Sequence, residues 1–381
     1  MRVEQRQGHT SPVSASIYYV ALSMIPSVGA VTARQLISYC GSAEAVFSEK
    51  SHLISIPGIG PKIKHHLSNR HQWLDRAEQE VEQCNRQGIE IITLDATHYP
   101  ERLRHIYDAP IVLFYRGTAL LDSPKVISVV GTRQATAYGR RITEDLITGL
   151  AHYQDLLIVS GLAYGIDINA HRSALKVGLP TVGVMASGLD IVYPAVHRDD
   201  ALKMVQQGGL LTESPLGTKP DGPRFPARNR IIAGLSDAVV VVEAAEKGGA
   251  LITAHLANDY DREVFAVPGS LYQKYARGCH RLIKEHTARL VTDSQDIIAM
   301  LNWDLPSKQD RKINQHHQTI ASLNKEETAV ATLLDQQRAG MLIDEISWQS
   351  QIPINQLAGV LLSLEFKQIV KALPGRKFQL K

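Results

Sequence analysis

The chain has 381 residues, of which 44% are hydrophobic and 21% charged, and its formal net charge is +3. This length predicts two or three domains, and the composition is that of a soluble globular protein rather than a disordered one. No apolar run reaches the length of a membrane span, and so small a net charge neither requires nor excludes a nucleic-acid partner.

The cysteines and the N-terminal sequence bear on the compartment. Cys40, Cys84 and Cys279 are far apart and odd in number, which argues against a disulfide scaffold. The first sixteen residues are polar and contain no signal-peptide core. We therefore expect a cytoplasmic protein with no membrane association.

Residues 1–88 are predicted to form an N-terminal helical domain, because apolar residues recur at helical spacing up to Gly88. The stretch "SIPGIGPKIKHHL" (55–67) resembles a helix-hairpin-helix, so the domain is of that type or SAM-like. Its second helix would begin with open amides beside Lys62 and Lys64, which makes an anion site. A turn that only packs two helices explains the stretch equally well.

A looser copy of this motif, "MIPSVGAVTARQL", occupies residues 24–36. Ser27 stands there where the first glycine would be. For this copy, helix packing without any ligand is the favoured interpretation.

Residues 89–301 are predicted to form an α/β domain. After a connector with strand-like pieces (89–125), short apolar β-branched runs alternate with helical patterns, which is typical of a parallel sheet covered on both faces. The runs are "KVISVVG", "LLIVSG", "PTVGVMASG", "GGLLTES", "DAVVVVEA" and "REVFAVPG".

Glycine-rich turns follow four of these runs, at residues 131–133, 161–167, 188–190 and 247–250. In an open parallel sheet such turns meet at the carboxyl edge, where ligands bind, and glycine lets a ligand approach the backbone. Glycine needed for loop geometry alone is the competing interpretation. Both G-x-G-x-x-G and G-x-x-x-x-G-K-[ST] are missing, so these turns carry none of the familiar nucleotide-binding fingerprints.

The stretch "PRFPARNR" (223–230) brings three arginines around Phe225. Arginine with an exposed aromatic ring suits single-stranded nucleic acid, since the charge binds phosphates and the ring stacks on a base. Pro223 and Pro226 predict a loop here. The alternative is that Phe225 belongs to the core and the arginines to a solvated face.

Six motifs between residues 90 and 300 together resemble the DNA-processing protein A family (DprA, also called Smf). They are "VVGTRQATAYG", "SGLAYGIDINAH", "GLDIVYP", "FPARNRIIAGLSDAVVVVEA", "KGGALITA" and "REVFAVPG". The resemblance implies an extended Rossmann-like sheet that binds single-stranded DNA, protects it and loads the RecA recombinase on it during natural transformation. It also implies a homodimer formed through this domain, no enzymatic activity, no cofactor and no metal.

By position, the resemblance places the DNA pocket on residues from four of these motifs, and it implies that the turn at 131–133 holds a DNA phosphate rather than a mononucleotide. The pocket residues are Gly131, Thr132, Arg133, Gly161, Gly165, Phe225, Arg228, Asn229, Arg230, Lys247 and Gly248. One segment departs from the family pattern G-x-N-x-L-I-x-x-G-A, because His280, His286 and Thr287 replace its Asn, Gly and Ala. The missing glycine leaves the geometry of that loop, and its role in the pocket or the dimer, open.

Two other functions compete with this interpretation. One is a Rossmann-type nucleotide phosphoribohydrolase, whose P-G-G-x-G-T motif is followed by a glutamate; "EAAEKGGALITA" has Lys247 in place of the proline and no such glutamate. The other is a protein-interaction scaffold with incidental DNA contacts. No cysteine and histidine spacing typical of a zinc site occurs.

Residues 302–327 are polar and predict a linker, and residues 328–381 predict a winged helix of three helices and a terminal hairpin. The expected recognition helix, 354–365, contains no lysine or arginine. A major-groove reader needs such side chains, so this module is expected to contact protein, unless its apolar stripe is only its own core.

Overall fold

The computed structural model describes residues 12–48, 56, 59–153, 155–303, 324–337, 340–367, 369–373 and 375–380. The chain forms two compact units, Met1–Ile298 and Ala299–Lys381. No helix within the described ranges combines the length and apolarity that crossing a bilayer requires. Most of the predicted linker, residues 304–323, lies outside these ranges.

The first part of the larger unit is helical, as its sequence predicts. Its helices are α1 (Pro12–Met24), α2 (Ala30–Cys40), α3 (Ala43–Ser48), α4 (Pro61–Ser68) and α5 (Arg70–Arg86). Ser27, in the looser hairpin copy, adopts a left-handed φ of 67°, which is the conformation that favours glycine at this turn. Helix α4 begins at Pro61 after Gly60, and Gly58 of the other copy lies outside the described residues.

A nine-stranded mixed sheet forms the centre of this unit. Its strands are β1 (Glu90–Thr93), β2 (Val112–Gly117), β3 (Lys125–Val130), β4 (Leu156–Gly161), β5 (Thr181–Val184), β6 (Gly209–Thr212), β7 (Ala238–Val241), β8 (Glu263–Ala266) and β9 (Arg289–Leu290). Their spatial order is β1-β2-β6-β5-β4-β3-β7-β8-β9. In this spatial order, each pair of neighbouring strands from β6 through β5, β4, β3, β7 and β8 to β9 is parallel. Strand β2 is antiparallel to both of its neighbours, β1 and β6.

Helices cross over between the strands and cover the sheet. They are α6 (Glu101–Arg104), α7 (Ala137–Gly149), α8 (Ile166–Lys176), α9 (Arg198–Gln207), α10 (Arg224–Leu235), α11 (Gly249–Asp259), α12 (Arg277–Lys284) and α13 (Ser294–Leu301). From β3 the chain winds outward through β4, β5 and β6, and from β7 it winds the other way through β8 and β9. The order of the strands therefore reverses between β3 and β7, and such a reversal opens a crevice at the carboxyl ends.

One apolar core joins the N-terminal helices to one side of the sheet. It runs from Leu22 and Leu36 in these helices through Trp73 to Met185 and Met204 in the α/β part. The sequence predicts a domain boundary near residue 88, but the structure has no break in the core there. A second core packs α10 and α11 against the strands and includes Ile231 and Val239.

The smaller unit contains the elements of a winged helix. They are α14 (Lys325–Gln336), β10 (Met341–Leu342), α15 (Ile343–Ser350), α16 (Ile354–Phe366), β11 (Val370–Leu373) and β12 (Lys377–Leu380), and the sheet order is β10-β12-β11. Helix α14 begins inside the predicted linker, because Asn324 caps it and Glu327 closes a capping box.

Glu327 also ties α14 to the end of α16. Its buried carboxylate accepts hydrogen bonds from Lys367 Nζ at 2.7 and 2.8 Å and from Ser363 Oγ at 2.7 Å. The bonds from Lys367 and Ser363 lower the pKa of Glu327 to about 2.

Acid is therefore expected to loosen the winged helix. A carboxyl whose pKa is lowered on folding stabilises the folded state above its unfolded pKa, and this contribution is lost as the pH falls from about 4.5 towards 2. Because Lys367 is partly exposed, we expect a loss of about 2 kcal/mol. Hydrogen exchange of the α14 and α16 amides at pH 3 and pH 6 measures it.

The control compares two neighbouring glutamates. Glu327→Gln removes the charge and should abolish most of this pH dependence, whereas Glu326→Gln changes a half-buried residue that bonds only Gln356 among the contacts described and should leave it intact. Equal behaviour of the two variants contradicts the assignment to Glu327.

Candidate nucleic-acid interface

A cleft of about 1060 Å³ opens at the carboxyl edge of the sheet. The loop after β3, the start of α10, the loop from β7 into α11 and part of α12 line it. The cleft therefore lies at the reversal between β3 and β7, the place where sheets of this kind bind ligands.

Basic side chains outnumber acidic ones on the walls of this cleft. The charged lining residues are Arg133, Arg228, Lys247, Lys274 and Arg281 on the positive side and Asp167 and Glu246 on the negative side. Glu246 forms an ion pair with Arg277 at 3.4 Å, so its charge is compensated outside the lining. The cleft is thus suited to an anionic ligand.

An arginine stacked on an aromatic ring stands at the mouth of the cleft. The Arg133 guanidinium carbon lies 5.1 Å from the centre of the Phe225 ring, and Tyr193 contacts the same ring at 5.9 Å between centroids. Arg133 is exposed and Phe225 half-buried. The stack holds the cation in place while it stays accessible to a phosphate.

The segment that carries Phe225 is a helix, which corrects the expectation of a loop at 223–226. Pro223 is the residue before α10, and Pro226 lies in its first turn. The prolines predict a loop wrongly because first-turn amides have no intrahelical acceptor, so a proline there loses nothing. Phe225 is thereby fixed on a rigid element.

Arg228 lies one turn further along α10 and is buried in the wall of the cleft. Its Nε donates to Asn229 Oδ1 at 3.2 Å, and its Nη1 donates to the Val184 carbonyl. Burial lowers the pKa of Arg228 to about 10, and the nearby Asp167 opposes this shift. Arg228 therefore supplies positive potential from inside the wall rather than a free side chain.

Asp167 is the buried counterpart of Arg228. Burial raises the pKa of Asp167 to about 6, while Arg228 and the amides of Ala163 and Gly131 act in the opposite direction. Two opposite charges are thus buried close together in the wall of the cleft, and loss of one leaves the other uncompensated.

Two of the three amides in the turn at 131–133 bond groups of the protein itself. The Gly131 amide bonds Asp167, the Thr132 amide donates to the Glu243 carbonyl at 2.7 Å, and the Gln134 amide donates to Thr132 Oγ1 at 3.2 Å. The Gly131 and Thr132 amides are therefore used within the protein, and phosphate binding at this turn stays a prediction. In this turn the Arg133 side chain is exposed.

Gly161 and Gly165 have a packing role at this edge. Gly165 has a left-handed φ of 82°, and a Cβ there would collide with the Thr132 carbonyl. A Cβ on Gly161 would lie 2.5 Å from Asp167 Oδ2 and 2.7 Å from Arg228 Nη2. Both glycines lie behind the cleft lining, and they make room for the Asp167–Arg228 pair and the turn at 131–133.

Lys247 and Gly248 do line the cleft, at the start of α11. Asn229 Nδ2 donates to the Gly249 carbonyl at 3.2 Å and so fixes this start against α10. The first amides of a helix lack intrahelical partners and attract anions. The exposed Lys247 lies beside them.

Three predicted site residues lie elsewhere. Arg230 is two positions after Arg228 on α10 and therefore points to the opposite side, where its guanidinium bonds Glu213 and the Asp108 carbonyl. Lys62 and Lys64 are on α4 and do not line the cleft. The structure does not bring these three together with Arg133.

Lys274, Tyr275 and Arg281 line the cleft, although the sequence motifs did not single them out. The Tyr275 hydroxyl donates to Gln134, which links this side to the turn after β3. Arg281 Nε is buried and makes no hydrogen bond within the described residues. The stretch "KYARGCHRLIK" (274–284) has a basic residue in every helical turn, and this pattern could have predicted a positively charged wall here.

The segment that departs from the family pattern keeps a regular loop. His280 Nε2 lies 2.9 Å from the Gly269 carbonyl, and Thr287 Oγ1 donates to the Leu282 carbonyl at 3.1 Å. His286 adopts a left-handed φ of 56°. The backbone there thus has the conformation that favours the glycine which the family pattern would place at this position.

Restoring that glycine is expected to stabilise the protein. His286→Gly relieves a left-handed strain of about 1 kcal/mol, which corresponds to a rise of about 2–4 °C in Tm. Thermal unfolding measures it, and His286→Ala is the control because alanine keeps the strain. No gain for glycine over alanine would contradict the strain at this residue.

Two sequence models of known protein families match this chain. The sequence model described as DNA recombination-mediator protein A matches residues 90–302, more than half of the chain. The chain belongs to this family. A second model, the DprA winged helix domain, matches residues 314–376. The predicted family and the predicted fold class, an extended Rossmann-like sheet with a winged helix, are therefore confirmed.

Relatives of the DprA family align with most of the chain. The putative DNA processing protein DprA of Mycobacterium tuberculosis is 37% identical over 333 residues, 84% of both chains. Protein Smf of Synechocystis is 32% identical over 398 residues, 96% of this chain and 99% of its own.

Solved DprA structures have the same fold. DprA of Streptococcus pneumoniae is 36% identical and covers 74% of this chain and 96% of its own, with a TM-score of 0.63. DprA of Helicobacter pylori, described for its single-stranded DNA binding mode, is 31% identical and covers 56% of this chain and 97% of its own, with a TM-score of 0.51.

Proposed function

We propose that this DprA-family protein binds single-stranded DNA in the cleft between the ends of β3 and β7, without acting on it as an enzyme. The carrying observation is the Arg133–Phe225 stack at 5.1 Å, set beside Lys247 at the start of α11. The stack provides a cation for the DNA phosphates and, beside it, an aromatic surface for a base, which are the two requirements of single-strand recognition.

The preference for a single strand follows from the ring. Phe225 stands next to Tyr193, and either ring offers a face to an unpaired base. In a duplex the bases are stacked on one another and cannot reach a ring at the cleft mouth. The Helicobacter pylori relative, whose structure is described for single-stranded DNA binding, supports the same ligand.

Fluorescence anisotropy with labelled single- and double-stranded oligonucleotides across a salt series tests this proposal. We expect tighter binding of single strands and a slope of log K against log salt of about −0.7 per phosphate contact. Equal affinity for both forms, or only millimolar affinity at physiological salt, would favour an interaction scaffold instead.

Three carboxylates at this edge have structural partners, which argues against the phosphoribohydrolase alternative. Asp167 faces Arg228, Glu246 pairs with Arg277, and Glu243 accepts from Thr136 Oγ1 at 2.6 Å and its amide at 2.9 Å. None is left for nucleotide hydrolysis without breaking such a contact. Release of free base from nucleoside monophosphates would overturn this part of the proposal.

We further propose that the protein protects incoming DNA and loads the RecA recombinase on it in natural transformation. The family description as a recombination mediator supports this role. On single strands coated with a single-strand-binding protein, the chain should shorten the lag before RecA hydrolyses ATP. An unchanged lag would restrict the function to DNA binding.

A homodimer through the Rossmann-like domain is part of the same proposal. Strand β9 is the edge of the sheet and exposes Leu290, and an exposed strand edge with an apolar side chain favours pairing with another copy. Sedimentation of Leu290→Glu against the parent protein tests it, and an unchanged sedimentation coefficient would remove β9 from the interface.

A further inference from the structure

Helix α16 of the winged helix has two apolar faces. Leu357, Val360, Leu361 and Leu364 on one face are buried in the core of this unit. Ile354, Leu362 and Phe366 on the other are 51%, 54% and 82% exposed, and Ala358 between them is exposed too. Residues four apart are neighbours on a helix surface, so these four form one outward apolar stripe.

This outward stripe is unsuited to DNA. Helix α16 contains no lysine or arginine, and the next residue, Lys367, uses its ammonium to hold Glu327. The recognition helix of a DNA reader needs side chains that bond bases and phosphates. An apolar partner is therefore required to remove the stripe from water.

Gly359 marks where such a partner comes close. It lies in the middle of α16, where glycine costs about 1 kcal/mol relative to alanine, and a Cβ there would meet nothing within 4 Å. The described residues of the winged helix give no packing reason for a glycine at this position. With Ala358 it forms a low point on the stripe at which a second backbone can approach.

The stripe is complementary to itself when reversed. Its ends, Ile354 and Phe366, are equally distant from residue 360, so antiparallel copies place Ile354 against Phe366 and Ala358 against Leu362. The charged Glu365 then faces the neutral Asn355, so no like charges meet. Each residue's contact is returned by its counterpart, as in a two-fold interface.

We propose that the winged helices of two copies of this chain pair through antiparallel α16 helices. The stripe offers about 400 Å² of exposed side chain per copy. With the flanking polar residues, two copies reach about 1,000 Å², the lower limit of a specific interface. The pairing is thus weak enough to be reversible, and it covers the helix that would otherwise enter a DNA groove.

Cysteine cross-linking in the full-length protein tests the pairing and its direction. Under mild oxidation, Ala358→Cys protein mixed with Leu362→Cys protein should give covalent dimers well above either variant alone. Lys371→Cys, exposed on β11, is the matched control. Because the cross-link joins α16 to α16, it reports this contact whether or not the Rossmann-like domains also pair.

Phe366→Glu provides the second arm, since Phe366 is exposed and its loss does not affect the core. Introduced into both cysteine variants, it should reduce the cross-linked fraction about tenfold or more. Cross-linking no greater than for Lys371→Cys, or unaffected by Phe366→Glu, would overturn the proposal. Cysteines at 358 that resist alkylation without cross-linking would show that another segment covers the stripe, which also overturns it.

Discussion

Replacing Arg133 by alanine is expected to weaken single-stranded DNA binding by about 10- to 100-fold, or roughly 1.4–2.8 kcal/mol. The change removes an exposed cation at the cleft mouth and also the group stacked on Phe225 at 5.1 Å. Since one phosphate contact is lost, the salt slope should become flatter by about 0.7. Anisotropy at several salt concentrations measures both quantities.

Two companion variants separate charge from stacking. Phe225→Ala should cost about 1–3 kcal/mol of binding with the salt slope unchanged, because an aromatic ring contacts bases rather than phosphates. Arg141→Ala is the matched control, since Arg141 is 84% exposed on α7 and does not line the cleft. If Arg133→Ala leaves the slope unaltered, Arg133 does not contact phosphate.

Replacing Arg228 by methionine is expected to destabilise the protein by about 3–5 kcal/mol at pH 8. The variant leaves Asp167 buried without its cationic neighbour and leaves the Val184 carbonyl without its donor. Urea unfolding across pH measures the effect.

The pH dependence identifies the cause. Burial raises the pKa of Asp167 to about 6, and a carboxyl whose pKa is raised on folding favours the folded state below its unfolded pKa of 3.8. This contribution is lost as the pH rises through the folded value. Without Arg228 that pKa rises further, so the damage should be smaller at pH 5 than at pH 8.

A double variant keeps this prediction separate from simple loss of packing. Asp167→Asn combined with Arg228→Met removes both charges and should recover part of the stability at pH 8. Arg141→Met, at an exposed site, should change little. Equal destabilisation by Arg228→Met at both pH values would contradict the role given to Asp167.

The sheet could be predicted because its strands have a simple signal. Runs such as "VISVV" and "AVVVV" are β-branched and short, and their burial on both faces removes any need for polar alternation. Parallel strands then place their following turns at one edge. This is why Arg133 and Lys247, more than a hundred residues apart, line the same cleft.

The finer features of the site could not be predicted, because they depend on hydrogen bonds and packing inside the protein that the motifs do not show. Nothing in "VVGTR" shows that Asp167 and Glu243 take up the Gly131 and Thr132 amides. The two prolines near Phe225 are compatible with a loop or with a first helical turn, and only packing of α10 decides. Arg230 could have been placed correctly once that helix was known, because its position relative to Arg228 fixes its direction.

The shared core of the N-terminal helices and the sheet limits how the molecule can be divided. The same hydrophobic core contains Leu22, Leu36 and Trp73 of the helices and Ile111, Met185 and Leu189 of the α/β part. A chain that began near residue 89 would therefore expose hydrophobic surface to water. Arg34 adds a polar tie, donating to the Ile106 carbonyl at 2.8 Å. The helical segment therefore behaves as a fixed cap over the α/β half of this unit, and loss or gain of that cap in evolution would require resurfacing of the sheet beneath it.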